Sequence, residues 1–260
     1  MRSNLPLLVF TDLDGTLLDH ASYDWSPARP ALTALRAFGA GLVLASSKTA
    51  AEIAPLREAV GFADWPAIVE NGAGTLPPGV QGSAGDSAHR TVLAALAALP
   101  ADLRDGFRGF SDMTVDEVAE RTGLPAPDAA AAKARQHSEP GLWSGEEAGC
   151  AAFVAALQKH GVSARRGGRF LTLSLGQTKA DRMREIAAAA RPLHTVALGD
   201  APNDTEMLAA ADLGIIVANP AATPLPEQPG EAAGHIRRTI LPGPAGWNRA
   251  ILDLLSDLKA

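Results

Sequence analysis

Leu5-Pro-Leu-Leu-Val-Phe10, running directly into Thr11-Asp12-Leu13-Asp14-Gly15-Thr16, decides the fold. A short, continuously apolar run reads as a strand buried on both faces, which is the habit of parallel sheets. Its carboxyl end then opens into a loop that carries two aspartates. The same layout returns along the chain. Leu42 to Ala45 ends in Ser46-Ser47-Lys48, Ala67 to Val69 ends in Glu70-Asn71-Gly72, and His194 to Leu198 ends in Gly199-Asp200. Leu213 to Val217 makes a fifth run. Between these runs lie Ala- and Leu-rich helical candidates at 28–38, 51–60, 180–190 and 205–211. Thr49 and Glu52 have capping-box spacing ahead of the second of them. Strands alternating with helices predict an α/β fold with a doubly wound, Rossmann-like parallel sheet.

The middle of the chain follows a different pattern. Leu76 to Asp86 is rich in Gly, Pro and Ser and reads as a linker. Beyond it come a helix at 88–99, a strand at 107–114, and alanine-rich helices at 126–136 and 146–160. The runs at 162–166 and 169–175 flank Gly167-Gly168, a hairpin signal because two glycines supply the positive φ of a tight turn. The expected organisation is a core of residues 1–81 and 173–260, with a smaller α/β domain inserted at 82–172.

Composition narrows the function. The 260 residues carry 29 acidic and 23 basic side chains, a net charge of −6 that gives no electrostatic reason for nucleic-acid or anionic-membrane partners. One cysteine, Cys150, permits no internal disulfide, and Cys and His are too sparse for a zinc cluster. Met1 to Pro6 has no signal-peptide layout, and no apolar stretch approaches a membrane span. The expected setting is the reducing cytoplasm, with a small molecule as partner. The sequence does not speak to oligomeric state.

Asp12 and Asp14, two residues apart at a strand end, both reach the crevice where open α/β sheets bind ligands. Alone, they read equally as a solvated Asp-Gly turn. Gly199-Asp200-Ala201-Pro202-Asn203-Asp204 adds two more carboxylates at the same sheet edge; by itself it reads as a loop with a helix cap at Asn203 or Asp204. Four aspartates on one edge repel unless a hard, oxygen-loving cation sits among them. Lys179 follows Thr178, which has capping-box spacing with Asp181. At a first helical position its charge opposes the helix dipole, which a bound anion would explain, although local sequence alone reads as a surface lysine. Ser46 offers a hydroxyl, and Ser47 an amide, to a phosphoryl oxygen.

Taken together, Asp-Leu-Asp-Gly-Thr at 12–16, Ser46, Lys179 and Gly-Asp-Ala-Pro-Asn-Asp at 199–204 resemble the four ordered motifs of the haloacid-dehalogenase-like phosphatase superfamily. The insertion resembles the subgroup with a large α/β cap, which includes sugar-phosphate phosphatases. Within it, Ser46-Ser-Lys-Thr49, Glu70-Asn-Gly-Ala73, Ser138-Glu-Pro-Gly-Leu-Trp143, Gly167-Gly-Arg-Phe170 and Gly243-Pro-Ala-Gly-Trp-Asn248 are similar to the mannosyl-3-phosphoglycerate phosphatase family. Two positions depart from that pattern. Thr178 stands where an aspartate usually precedes the lysine, and Thr172 where a histidine is expected.

The resemblance implies that Asp12 attacks phosphorus and that Asp14 exchanges protons with the leaving group and water. Mg2+ would be held by Asp12, the Asp14 carbonyl and Asp200, with Asn203 and Asp204 orienting the site from its edge. Ser46, Ser47, Lys48 and Lys179 would bind the phosphoryl group and substrate. The implied substrate is mannosyl-3-phosphoglycerate, with glucosyl-3-phosphoglycerate or a simple sugar phosphate as alternatives. A non-catalytic module that binds a phosphorylated metabolite is the reading of another class, and a phosphomutase a further one. Arg165, Arg166 and Arg169 flank the Gly-Gly turn; Arg166 and Arg169 are the expected grip on a glycerate carboxylate. Trp143 is read as interior or as a platform for the sugar, and Trp247 as a pin for the last helix.

Overall fold

The computed structural model describes residues 5–82 and 85–259. The amino-terminal leader reading therefore falls partly outside the described residues, as do positions 83 and 84 of the linker. In chain order the elements are β1 (Leu8–Thr11), α1 (Arg29–Phe38), β2 (Gly41–Leu44), α2 (Ala50–Ala59), β3 (Ala67–Val69) and β4 (Gly74–Leu76). The inserted segment supplies α3 (Ser87–Ala97), α4 (Ala101–Arg104), β5 (Phe107–Gly109), α5 (Val115–Thr122), α6 (Ala126–Lys133), β6 (Ser138–Trp143), α7 (Glu147–Gln158), β7 (Ser163–Gly167) and β8 (Phe170–Ser174). Then follow α8 (Lys179–Ala190), β9 (Thr195–Gly199), α9 (Thr205–Ala210), β10 (Leu213–Ala218), β11 (Ile236–Pro242) and α10 (Gly243–Asp257).

The main sheet has the order β11-β10-β9-β1-β2, with every pairing parallel. From β1 the chain winds outward to β2, and from β9 it winds the other way to β10 and β11. The direction therefore reverses between β1 and β9, and at such a switch point the crevice beyond the strand ends is open for a ligand. Both faces are covered, which is why the strands read as unbroken apolar runs. Leu7, Val9, Leu42 and Leu44 pack with Leu35 of α1 and with Trp247, Ile251 and Leu255 of α10. Leu8, Phe10 and Val43 pack on the other face with Met183 of α8 and Met207 and Leu208 of α9.

The expected third strand forms but does not join this sheet as a full member. It pairs antiparallel with β4 and touches β2's end through a single bridge, Ala45–Ile68. The cause is the turn that follows it: Glu70, Asn71 and Gly72 take φ of 52°, 59° and 94°, three consecutive left-handed residues that reverse the chain. β11 occupies the opposite edge and was not expected. Trp247 is fully buried, as the reading of it as a pin requires. The stretch Gly243 to Asn248, whose two glycines and proline read as a packing turn before the last helix, is instead the first part of α10.

A second sheet, antiparallel in the order β5-β6-β8-β7, lies within the insertion. α3 and α7 cover one face, burying Val92, Leu96, Phe153 and Leu157 against Phe107, Leu171 and Leu173. α5 and α6 cover part of the other, where Phe110, Met113, Val118 and Ala129 meet Leu142 and Phe170. The strand expected at 107–114 stops at Gly109. Beyond it the Asp112 carboxylate takes the Gly109 N–H and the Glu139 carboxylate takes the Ser111 N–H, bending the chain into a helical turn.

Candidate active site

Each polar residue that follows a main-sheet strand arrives in the crevice at the switch point. The Asp12 N–H donates to Leu198 O, so the β1–β9 ladder carries on one residue beyond the strand and fixes Asp12 beside Asp200. Gly15 then turns the chain with φ +85°; a Cβ there would meet the Asn219 amide at 2.2 Å, so only glycine allows this approach. Thr178 caps α8 and Asp181 completes the capping box, which delivers Lys179 at the first helical position.

Lys179 is corrected from its surface reading. It is 1% exposed, and its Nζ donates to Asp12 Oδ1 at 2.6 Å and Asp204 Oδ1 at 2.7 Å. Asp200 is held by Thr16 Oγ1 on one oxygen at 2.7 Å and by Asn219 Nδ2 on the other at 2.8 Å. Asp204 Oδ2 accepts the N–H groups of Asp200 and Ala201, which commits that oxygen to the loop. Carboxylate oxygens of Asp12, Asp200 and Asp204 lie within 4.8 Å of one another, and all three residues are buried. Asp14 Oδ2 accepts from Lys48 Nζ at 3.1 Å, while its buried Oδ1 has no partner. Behind the site, Trp247 Nε1 donates to Thr11 Oγ1 at 3.0 Å, and Thr11 Oγ1 donates to the Asp12 carbonyl at 2.7 Å.

The electrostatics follow from burial. Desolvation, with Asp204 and Asp200 adding repulsion, pushes the Asp12 carboxyl well above its ordinary range despite the adjacent Lys179. Burial pushes Asp200 up as well. Burial alone would lower Lys179, but the Asp12 and Asp204 carboxylates reverse that and raise it, so its charge is permanent. Lys48 follows the same pattern: desolvation opposes its charge, and the Asp14 and Glu52 carboxylates together more than restore it. One buried ammonium does not balance three buried carboxylates. Together with the unpartnered Asp14 oxygen, that deficit fits a hard divalent cation with oxygen ligands.

Ser46 is buried at the end of β2; its Oγ accepts the Lys48 N–H at 3.2 Å, and its carbonyl accepts the Asn71 N–H. Asn203 is exposed at the rim and donates Nδ2 to Asn71 Oδ1 at 3.0 Å. The cap arginines are not brought together. Arg165 pairs with Glu206 at 3.2 Å, Arg166 pairs with Glu147 at 2.9 Å, and Arg169 donates to the Arg121 carbonyl at 2.6 Å. The reason is the pleat: successive residues of β7 face opposite sides of its sheet, sending Arg165 toward α9 and Arg166 toward α7. Trp143 sits among cap side chains, 5.2 Å from the Phe153 ring centre. Thr172 pairs with Pro140 and Arg165 within the cap sheet.

Four residues escaped the sequence reading. Asn219 had a legible signal, since it also follows an apolar strand run, and Thr16 lay inside a quoted motif. Glu70 also lay inside a quoted motif, with no sign of what it would hold, and Arg135 had no signal. Glu70 is buried and accepts the N–H groups of Gln136, His137 and Ser138 and the Ser138 hydroxyl. Arg135 donates Nη1 to the Ser47 carbonyl at 2.9 Å.

A doubly wound sheet with an acidic, lysine-bridged site at its switch point, and a second sheet inserted beside it, places the chain among α/β proteins whose polar site lies at the carboxyl ends of the strands. Residues 9–80 and 158–224, more than half the chain, match the family model described as haloacid dehalogenase-like hydrolase, and the chain belongs to that family. Solved structures resemble it over nearly their full length. A haloacid dehalogenase-like hydrolase from Bacteroides thetaiotaomicron superimposes with a TM-score of 0.70 at 18% identity, covering 96% of this chain and 99% of that one. The sucrose-phosphatase of Synechocystis sp., in complex with sucrose and phosphate, gives 0.62 at 14% identity and covers 99% of both chains. A subclass IIB sugar phosphatase gives 0.64 at 18% identity over 95% of this chain and 98% of that one. At these identities the likeness speaks for the fold. Among the described residues, no helix is long and apolar enough to cross a membrane.

Proposed function

We propose that the chain is a Mg2+-dependent phosphomonoester hydrolase that works through an aspartyl-phosphate. The observation that carries this reading is the buried convergence of Asp12, Asp200 and Asp204 on Lys179, beside an Asp14 oxygen left without a partner. Asp12 attacks phosphorus as its P–O bond to the leaving group breaks, and Asp14 gives that alkoxide its proton. Asp14 then takes a proton from the water that releases phosphate from Asp12. Ser46 and Lys179 hold the phosphoryl oxygens, Ser47 and Lys48 line the substrate path, and Asn203 and Asp204 hold the loop in place. Asp12, the Asp14 carbonyl and Asp200 would hold the cation, which screens the charge of nucleophile and phosphoryl group as they approach.

In this reading residues 1–81 and 173–260 are the catalytic core and 82–172 the cap that selects substrate. The preferred substrate is mannosyl-3-phosphoglycerate, yielding mannosylglycerate and phosphate, in the cytoplasm; a net charge of −6 favours a small phosphorylated metabolite over nucleic acid. One observation favours a broader sugar-phosphate phosphatase instead: Arg166 and Arg169 are engaged within the cap and do not line a common carboxylate grip.

Phosphate release from mannosyl- and glucosyl-3-phosphoglycerate, simple hexose phosphates and an aryl phosphate, with Mg2+ or a chelator, tests both levels. The expected result is Mg2+-dependent release, fastest from a glycosyl-phosphoglycerate. Release from hexose phosphates alone removes the glycerate assignment. No release from any of them removes the phosphatase.

A further inference from the structure

We propose that Arg135, beside Lys48, forms a second anion-binding point, so that the preferred substrate carries a carboxylate or phosphate on its leaving group as well as the phosphoryl under attack. This rests on the reading of Asp14 as the group that protonates the leaving oxygen.

Asp14 Oδ2 is held by Lys48, whose Nζ also lies 5.0 Å from the Tyr23 ring centre. An oxygen that takes its proton from Asp14 must leave past this ammonium. Arg135 follows α6 and reaches across from the cap to donate Nη1 to the Ser47 carbonyl, one residue before Lys48. A second contact secures this crossing, Thr49 Oγ1 donating to the Ala131 carbonyl at 2.9 Å. The cap thus places a guanidinium next to the loop that carries the leaving-group side of the site.

Arg135, like Arg169, which donates to the Arg121 carbonyl beside the Phe170 ring, has no carboxylate partner among the described residues; what sets Arg135 apart is that it reaches the core beside Lys48. Arg165, Arg166, Arg182 and Arg238 each pair with a carboxylate. Arg57 is buried and gives its terminal nitrogens to four carbonyls. Arg135 is half-buried, has no carboxylate partner among the described residues, and uses two donors, Nε to Ala132 O and Nη1 to Ser47 O. A guanidinium has five N–H donors. The unspent donors form a fork of the kind that grips a carboxylate or phosphate through two parallel bonds. The Phe110 ring, 5.9 Å from the Arg135 guanidinium carbon, backs the group and limits its motion.

A plain clamp between cap and core would make the same contact with Ser47, but it would not discriminate by ligand charge. The test is therefore competition against aryl-phosphate hydrolysis, together with calorimetric binding, using two matched pairs: 3-phosphoglycerate with glycerol 3-phosphate, and glucose 1,6-bisphosphate with glucose 6-phosphate. The wild-type protein is expected to favour the member with the second anion about tenfold in at least one pair, and the pair identifies carboxylate or phosphate as the source. Arg135→Gln is expected to bring that ratio to within about twofold, while Arg135→Lys, which keeps charge and loses the fork, retains part of it. A wild-type ratio near one, or a ratio that Arg135→Gln leaves unchanged, overturns the proposal. Absence of turnover on the aryl phosphate and on every sugar phosphate of the panel removes the phosphatase reading on its own, and the calorimetric ratios then decide the second site.

Discussion

Asp12 is held where a carboxylate is least comfortable, buried beside two others. Its raised pKa means that the protein stabilises the neutral form more than the charged one that a nucleophile needs. Asp12→Asn supplies a neutral side chain of the same shape. It is expected to cut phosphate release on the order of a thousandfold or more, because an amide is a poor nucleophile. In chelator the same variant is expected to melt no lower than the wild type, because the lost Lys179 pair is offset by relief from desolvation and from the repulsion of Asp204 and Asp200. Activity assays and thermal melts of one preparation check both halves; a large drop in melting temperature would mean that the Lys179 pair dominates. At this scale the sequence was legible where a residue's surroundings were local. Thr178 and Asp181 formed the box their spacing foretold. Lys179 defeated local reasoning because its partners lie 167 and 25 residues away.

Among the elements, strands revealed themselves either as apolar runs buried on both faces or, for β7 and β8, through the Gly167-Gly168 turn that joins them. β6 and β11 did not. β6 carries Pro140 and Gly141, the residues least expected inside a sheet, yet a Cβ at Gly141 would meet the Phe107 ring at 2.3 Å, so the packing itself demands a glycine. β11 is an edge strand whose Arg237, Arg238 and Thr239 break up any apolar run. It is tied down by Arg238, which bonds Glu231 and the carbonyls of Leu225 and Pro226. The Arg238 guanidinium and the Gln228 N–H pull the Glu231 carboxyl from 4.5 down to about 2. A depressed acid stabilises the fold fully above its unfolded value, and that contribution is lost as pH falls through the folded one. Glu231→Gln is therefore expected to lower the melting temperature slightly near pH 6 and to converge with the wild type as pH falls from 4.5 toward 2. Paired melts across that range check it, and a gap that widened on acidification would reverse the sign.

At the scale of the whole molecule, one turn ties the parts together. Glu70 receives four donors from residues 136–138 of the insertion, the Asn71 N–H reaches Ser46, the Asn71 side chain reaches Asn203, and Gly72 packs on the Thr178–Lys179 backbone. Two non-glycine residues in the left-handed region cost roughly 1–3 kcal/mol each, and the contacts at both ends hold them there. Glu70→Gln turns an acceptor of four bonds into a group half composed of donors. The expected loss is about 1.5–3 kcal/mol, or on the order of 5 °C in melting temperature, with faster amide exchange at 136–138 than elsewhere in the insertion. Unchanged exchange there would remove the tie. None of this was legible beforehand, because a Glu-Asn-Gly turn does not announce what it will hold. The sheet that unites the site has a consequence in time as well as in space. Leu8 pairs with Thr195, so the two strands that bring Asp12 beside Asp200 are joined only after the whole intervening chain has been looped out or folded. Such distant pairings form slowly, since loop closure must precede the contacts that reward it. The crevice is thus expected among the last features a refolding chain acquires, formed only once the strands that frame it have paired.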